Sequence, residues 1–121
     1  MKLRIAAGKA SIEIELRDTP TARALHDKAP FESIASTWGE EVYFSTPVKA
    51  KLEADAQQVV DAGSACFWTQ GDAIALPFGR TPISTDERPK LANPCNVIGH
   101  FSEPKILKNV KSGDRVRVEK A

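Results

Sequence analysis

Apolar and polar positions alternate along much of this chain. Ser11–Arg17 reads Ser-Ile-Glu-Ile-Glu-Leu-Arg, with every second side chain apolar, as in a strand with one buried face. Leu3, Ile5 and Ala7 mark the strand before it, and Gly8-Lys9 stands where a hairpin turn is needed. Val48, Ala50 and Leu52 alternate with Lys49, Lys51 and Glu53, and Val116 and Val118 sit inward within Asp114–Glu119. The pattern predicts further strands over Glu41–Thr46, Ala65–Thr69, Ala73–Phe78 and Asn96–Phe101, with a weaker one at Phe31–Ser36. The total of about eight or nine short strands fits a closed barrel or a sandwich.

Two short helices interrupt the strands. Thr19 can cap the first and Pro20 suits its first turn, so it runs to about Lys28 and stops before Pro30. The second is predicted from about Glu103 to Lys111, with Ser102 as cap, Ile106, Leu107 and Val110 as its apolar stripe, and Gly113 closing it. Arg80–Pro94 holds Pro82, Pro89 and Pro94 among polar residues and reads as a long surface loop. No repeat, linker or low-complexity tract breaks the chain, so residues 1–121 are read as one domain.

Composition narrows the partners. Lys plus Arg is 17 and Asp plus Glu is 16, a net charge of +1, which gives no bulk attraction to nucleic acid or anionic membrane. The basic stretch after His100 reads as a solvated helix face and an outer strand face. No apolar run is long enough for a signal peptide or a membrane span, so a cytoplasmic location is expected. Cys66 and Cys95 are expected as free thiols.

The order of motifs then becomes informative. Leu16-Arg17-Asp18-Thr19-Pro20-Thr21-Ala22-Arg23-Ala24-Leu25 resembles the segment in which cyclophilins leave a hairpin through a proline and enter their first helix. Val97-Ile98-Gly99-His100-Phe101, a short helix and a final strand resemble the cyclophilin C-terminal end. Trp38–Phe44, Phe67–Ala73 and Phe78–Ser84 are similar to a family of short bacterial and archaeal cyclophilin-like proteins. The resemblance covers nearly the whole chain. It implies a mostly β fold, a closed and mainly antiparallel cyclophilin-like barrel of about eight strands with two short helices. It does not imply one activity.

Prolyl isomerases of that fold use an arginine soon after the first helix to polarise the twisting amide. This chain has no arginine between Arg23 and Arg80. Trp38 stands where cyclophilins carry a glutamine, and Cys95 falls near their pocket histidine. Isomerising X-Pro means lowering a barrier of about 18–20 kcal/mol, and without the arginine the main electrostatic lever is gone.

The resemblance, and the places where strands meet loops, give the candidate ligand site: Trp38, Phe44, Phe78, Arg80, Asn93 and Cys95. Each has a competing reading. Trp38 and Trp68 either line a groove or plug the barrel ends. Tyr43 and Phe44 lie on opposite faces of one strand, so only one faces the interior. Phe78 shares a face with Ile74 and Leu76, which favours core. Arg80 either offers its planar fork to a carbonyl or carboxylate, or forms a surface ion pair. Asn93 and Asn96 either hold a ligand or do turn chemistry beside Pro94.

A Cys95–His100 nucleophile fails on parity, since an odd separation along a strand puts the two on opposite faces unless Gly99 makes a bulge. Glu40 and Glu41 point to opposite sides and are no paired-carboxylate site. No metal spacing, phosphate loop or serine elbow is present, and no cofactor is expected. The expected function is a binding module for a peptide segment or small molecule in a surface groove, without efficient prolyl isomerase activity. The alternative is an enzyme, either a weak isomerase or a module associated with amide hydrolysis.

Overall fold

Alternation and turn chemistry together fix the first hairpin of the computed structural model, which describes residues 1–121. Strand β1 (Lys2–Ala7) pairs antiparallel with β2 (Ala10–Leu16), and Gly8-Lys9 is the two-residue turn between Ala7 and Ala10. Leu3, Ile5, Ile12, Ile14 and Leu16 all point into one core. Helix α1 (Pro20–Lys28) starts as its sequence dictates: Thr19 accepts from the Ala22 N–H and Pro20 occupies the first turn.

The chain continues as β3 (Phe31–Ile34), β4 (Ser36–Thr37), β5 (Glu41–Ser45), β6 (Gln57–Val59), β7 (Ser64–Trp68), β8 (Ala73–Pro77), β9 (Lys90–His100), a 3-10 helix (Pro104–Asn109) and β10 (Arg115–Lys120). All pairings are antiparallel, in the order β3-β10-β1-β2-β9-β7-β8-β5-β4, with β6 on β9. The two ends of this path are one run of chain. β3 pairs with β10 and β4 pairs with β5, with only buried Ala35 between them. Residues Phe31–Thr37 therefore close the sheet into a barrel, which leaves few free edges. Ten strand segments replace the expected eight or so, because this closing run is split at Ala35 and β6 is an added short strand.

Three expectations need correction. Val48–Leu52 alternates but forms no strand. Val48 is buried against the core, and the backbone is satisfied by side chains: Asn96 Nδ2 donates to Lys51 O and Asn96 Oδ1 accepts from the Glu53 N–H. Lys90–Pro94, read as loop, belongs to β9, where a register shift between Gln57↔Cys95 and Val59↔Lys90 accommodates Pro94. The second helix is a shorter 3-10 turn. Ser102 does not cap it, and its period of three buries Leu107 and Val110 while Ile106 stays exposed. No helix is long and apolar enough to cross a membrane.

The main core of 25 residues fills the barrel. A second cluster, Val60, Cys66, Ala75, Leu91, Cys95 and Val97, lies on the outside of β7 and β8, with Tyr43 and Trp68 packed against it.

Candidate functional site

The outer cluster borders an apolar hollow, a pocket of about 290 Å³. Strand parity builds it. On β5, Val42 and Phe44 point into the barrel, so Glu41 and Tyr43 point outward. On β7 and β8, Phe67, Ile74 and Leu76 point in, which turns Trp68, Ala73 and Ala75 out. The register sets Ala75 opposite both Tyr43 and Cys66, and Ala73 opposite Trp68. Two alanines on the middle strand thus form a low floor between taller neighbours. Leu91, Ala92 and Cys95, around the β9 irregularity, supply a wall.

Trp38 enters from the β4–β5 turn. Its N–H donates to Glu41 O at 3.0 Å, and the Glu40 N–H donates to Arg80 O at 2.9 Å, which ties the turn to the Arg80–Pro82 segment. Gly39 in that turn has φ +59, and a Cβ there would meet Pro82 Cδ at 2.7 Å, so the tight approach requires glycine. Trp68 is set from two sides. Its Nε1 donates to Asn93 Oδ1 at 3.1 Å, and its ring lies so close over Gly71 that a Cβ there would meet it at 2.5 Å.

Glu41 is the one charged lining residue. It is only 6% exposed, and its Oε1 has no hydrogen-bond partner. Burial alone pushes its carboxyl from 4.5 up to about 7. Burial, then Glu41 nearby, raises the Cys95 thiol to about 12, and burial drives the Cys66 thiol well up. Both cysteines are free thiols, and the Cys95 thiol donates to Asn93 O. His100 is exposed at the far end of β9, so it offers Cys95 no base. No cluster of three or more His, Cys, Asp or Glu side chains has metal-binding geometry.

The six residues proposed from sequence separate in the structure. Trp38 and Cys95 line the pocket, and Asn93 stands behind it as the acceptor for Trp68. Phe44 and Phe78 face the barrel core and do not line the pocket, because inward parity decides both. Arg80 is exposed, 3.5 Å from Glu87, and does not line it either. Asn96 is buried in a satisfied network with Thr21, Lys51 and Glu53 and serves structure. Glu41, Tyr43 and the alanine floor line the pocket without having been among the six. The available signal was parity, since Glu41 and Tyr43 are out of phase with Val42 and Phe44.

A model of the family described as cyclophilin-like matches residues 1–119. The solution structure of the hypothetical protein AF2241 from Archaeoglobus fulgidus is similar over 100% of this chain and 95% of that one, with 42% identity and a TM-score of 0.86. McbB, solved in complex with tryptophan, shares the fold at 14% identity and a TM-score of 0.67. This chain is covered over 98% of its length there but spans only 44% of McbB. No curated protein matches the chain significantly. Closed antiparallel barrel, proline-led first helix and family match agree, and the chain belongs to the cyclophilin-like family.

Proposed function

We propose that this protein is a binding module that takes a small molecule or a peptide side chain with an apolar body in the outer pocket, and that it is not an efficient prolyl isomerase. The observation that carries the reading is the composition of the pocket: eight apolar residues around one buried, unpartnered carboxylate. Apolar walls give affinity and a single polar anchor gives orientation. No arginine lines the pocket, and Arg80, the nearest substitute in sequence, sits outside it in an exposed ion pair. The electrostatic lever that a twisting amide needs is therefore missing. McbB is described in complex with tryptophan, which makes compact aromatic compounds a first class to test.

One observation favours an enzyme instead. A carboxyl poised near 7 is suited to proton transfer at neutral pH. Against this, the pocket holds no activated nucleophile, since the Cys95 thiol is pushed the wrong way.

Two measurements test the reading. Isothermal titration with small aromatic compounds, tryptophan among them, and with an X-Pro peptide should give binding that Trp38→Ala weakens about tenfold or more. A protease-coupled isomerisation assay should show little acceleration. Rates comparable to a genuine cyclophilin, or binding indifferent to Trp38, would overturn it.

A further inference from the structure

The outer pocket contains an acid and no base. Glu41 is buried, its Oε1 is orphaned, and no lysine, arginine or histidine lines the hollow. The other titratable groups lining it are the Tyr43 phenol on its own strand and the Cys95 thiol of β9, and the fully buried Cys66 thiol of β7 lies in the cluster beneath. Glu40, its neighbour in sequence, turns toward Gly79. Burial raises both thiols, so they stay uncharged near neutral pH and offer no counter-charge. A buried carboxylate without a positive partner is an arrangement that proteins otherwise pair or neutralise. Around it stand Trp38, Tyr43 and Trp68, three aromatic rings of the kind whose faces attract cations.

Building on the pocket reading above, we propose that the ligand carries an organic cation, an alkylated or quaternary ammonium group, seated against Glu41 among Trp38, Tyr43 and Trp68. The ammonium supplies the positive charge that the protein does not. Its alkyl groups meet the rings and the alanine floor, which a compact, strongly hydrated ammonium would not exploit. Two sources present this chemistry, a free small molecule and a methylated lysine side chain of a peptide.

Both tryptophans of the chain line the pocket, so intrinsic tryptophan emission reports its occupancy. The probes are choline; dimethylbutanol, its neutral isostere with carbon in place of nitrogen; a short trimethyllysine peptide; and the same peptide with unmodified lysine. Choline should bind at least about tenfold tighter than dimethylbutanol, and the methylated peptide at least about tenfold tighter than the unmodified one. Choline affinity should rise as pH is raised through about 7, because its own charge is fixed while Glu41 ionises. Glu41→Gln, with an unchanged amide spectrum as proof of folding, should shrink the cation advantage several-fold, leaving what the three rings supply, and should remove the pH dependence. If the methylated peptide outbinds choline, the source is a protein side chain; if choline matches it, the source is a free molecule. Equal binding of choline and dimethylbutanol overturns the cation, and a cation advantage undiminished in Glu41→Gln overturns its seat against Glu41; either result leaves the apolar pocket standing. If no probe binds, the cation inference also fails, and neutral aromatic compounds then decide the pocket reading separately.

Discussion

Strands β5, β7 and β8 each have two faces, and the two are filled in opposite ways. Inward, Val42, Phe44, Phe67, Ile74 and Leu76 interdigitate, each no more than 1% exposed. Outward, on the same strands, Tyr43 and Trp68 stand over Ala73 and Ala75 and leave a hollow. Since side chains alternate strictly along a strand, one stretch of sequence specifies both faces independently. Large residues in one phase close the barrel. Small residues in the other phase, at its middle strand, open a site.

The largest expected effect breaks this contrast in stability. Phe67→Ala removes a fully buried ring from the barrel and should cost about 3–5 kcal/mol, whereas Trp38→Ala, outside both cores, should cost well under that. Chemical denaturation of the pair checks it, and a comparable loss at Trp38 would place that ring in the core. Next comes Glu41. Its folded pKa lies above its unfolded one, so the native state retains the proton longer. Its contribution therefore does not weigh against folding below about pH 4.5, turns unfavourable as pH rises to about 7, and is constant above. A shift of this size corresponds to about 3 kcal/mol. Glu41→Gln should gain about that much relative to wild type between acid and mildly alkaline pH, measured as the difference in denaturation free energy at the two pH values. A flat difference would mean that Glu41 is solvated.

A smaller effect is expected at Gly39→Ala. The φ of +59 and the 2.7 Å approach to Pro82 should make it about 1–3 kcal/mol less stable, and displacement of the turn should alter the Trp38 environment, seen in its emission. The smallest is Arg80→Ala. An exposed pair with Glu87 should be worth within about 0.5 kcal/mol, and pocket binding should not change.

Strand positions were legible because alternation is local. The first hairpin, α1 and the strands around Cys66, Ala75 and Val118 follow from neighbours alone. Val48–Leu52 misleads because alternation reports burial of one face and says nothing about a pairing partner; Asn96 replaces the ladder there. Pro94 misleads in the other direction, since a proline at an irregularity is tolerated within β9. The candidate site was half legible. Trp38, Asn93 and Cys95 fall at or beside the pocket because they follow the order of cyclophilin segments. Glu41 was weighed only as half of a carboxylate pair with Glu40, and nothing in its neighbours marks it as buried alone. The Leu91–Cys95 wall that lines the same pocket is about fifty residues away in sequence, and no local pattern announces it.

Amide chemical-shift mapping during a titration with indole shows directly whether ligands go to the outer face. Shifts should concentrate at Trp38–Tyr43, Trp68–Ala75 and Leu91–Cys95, and leave β1, β2 and β10 undisturbed. Shifts confined to the Arg80–Glu87 loop or to the polar hollow around Lys2, Glu15 and His100 would contradict it.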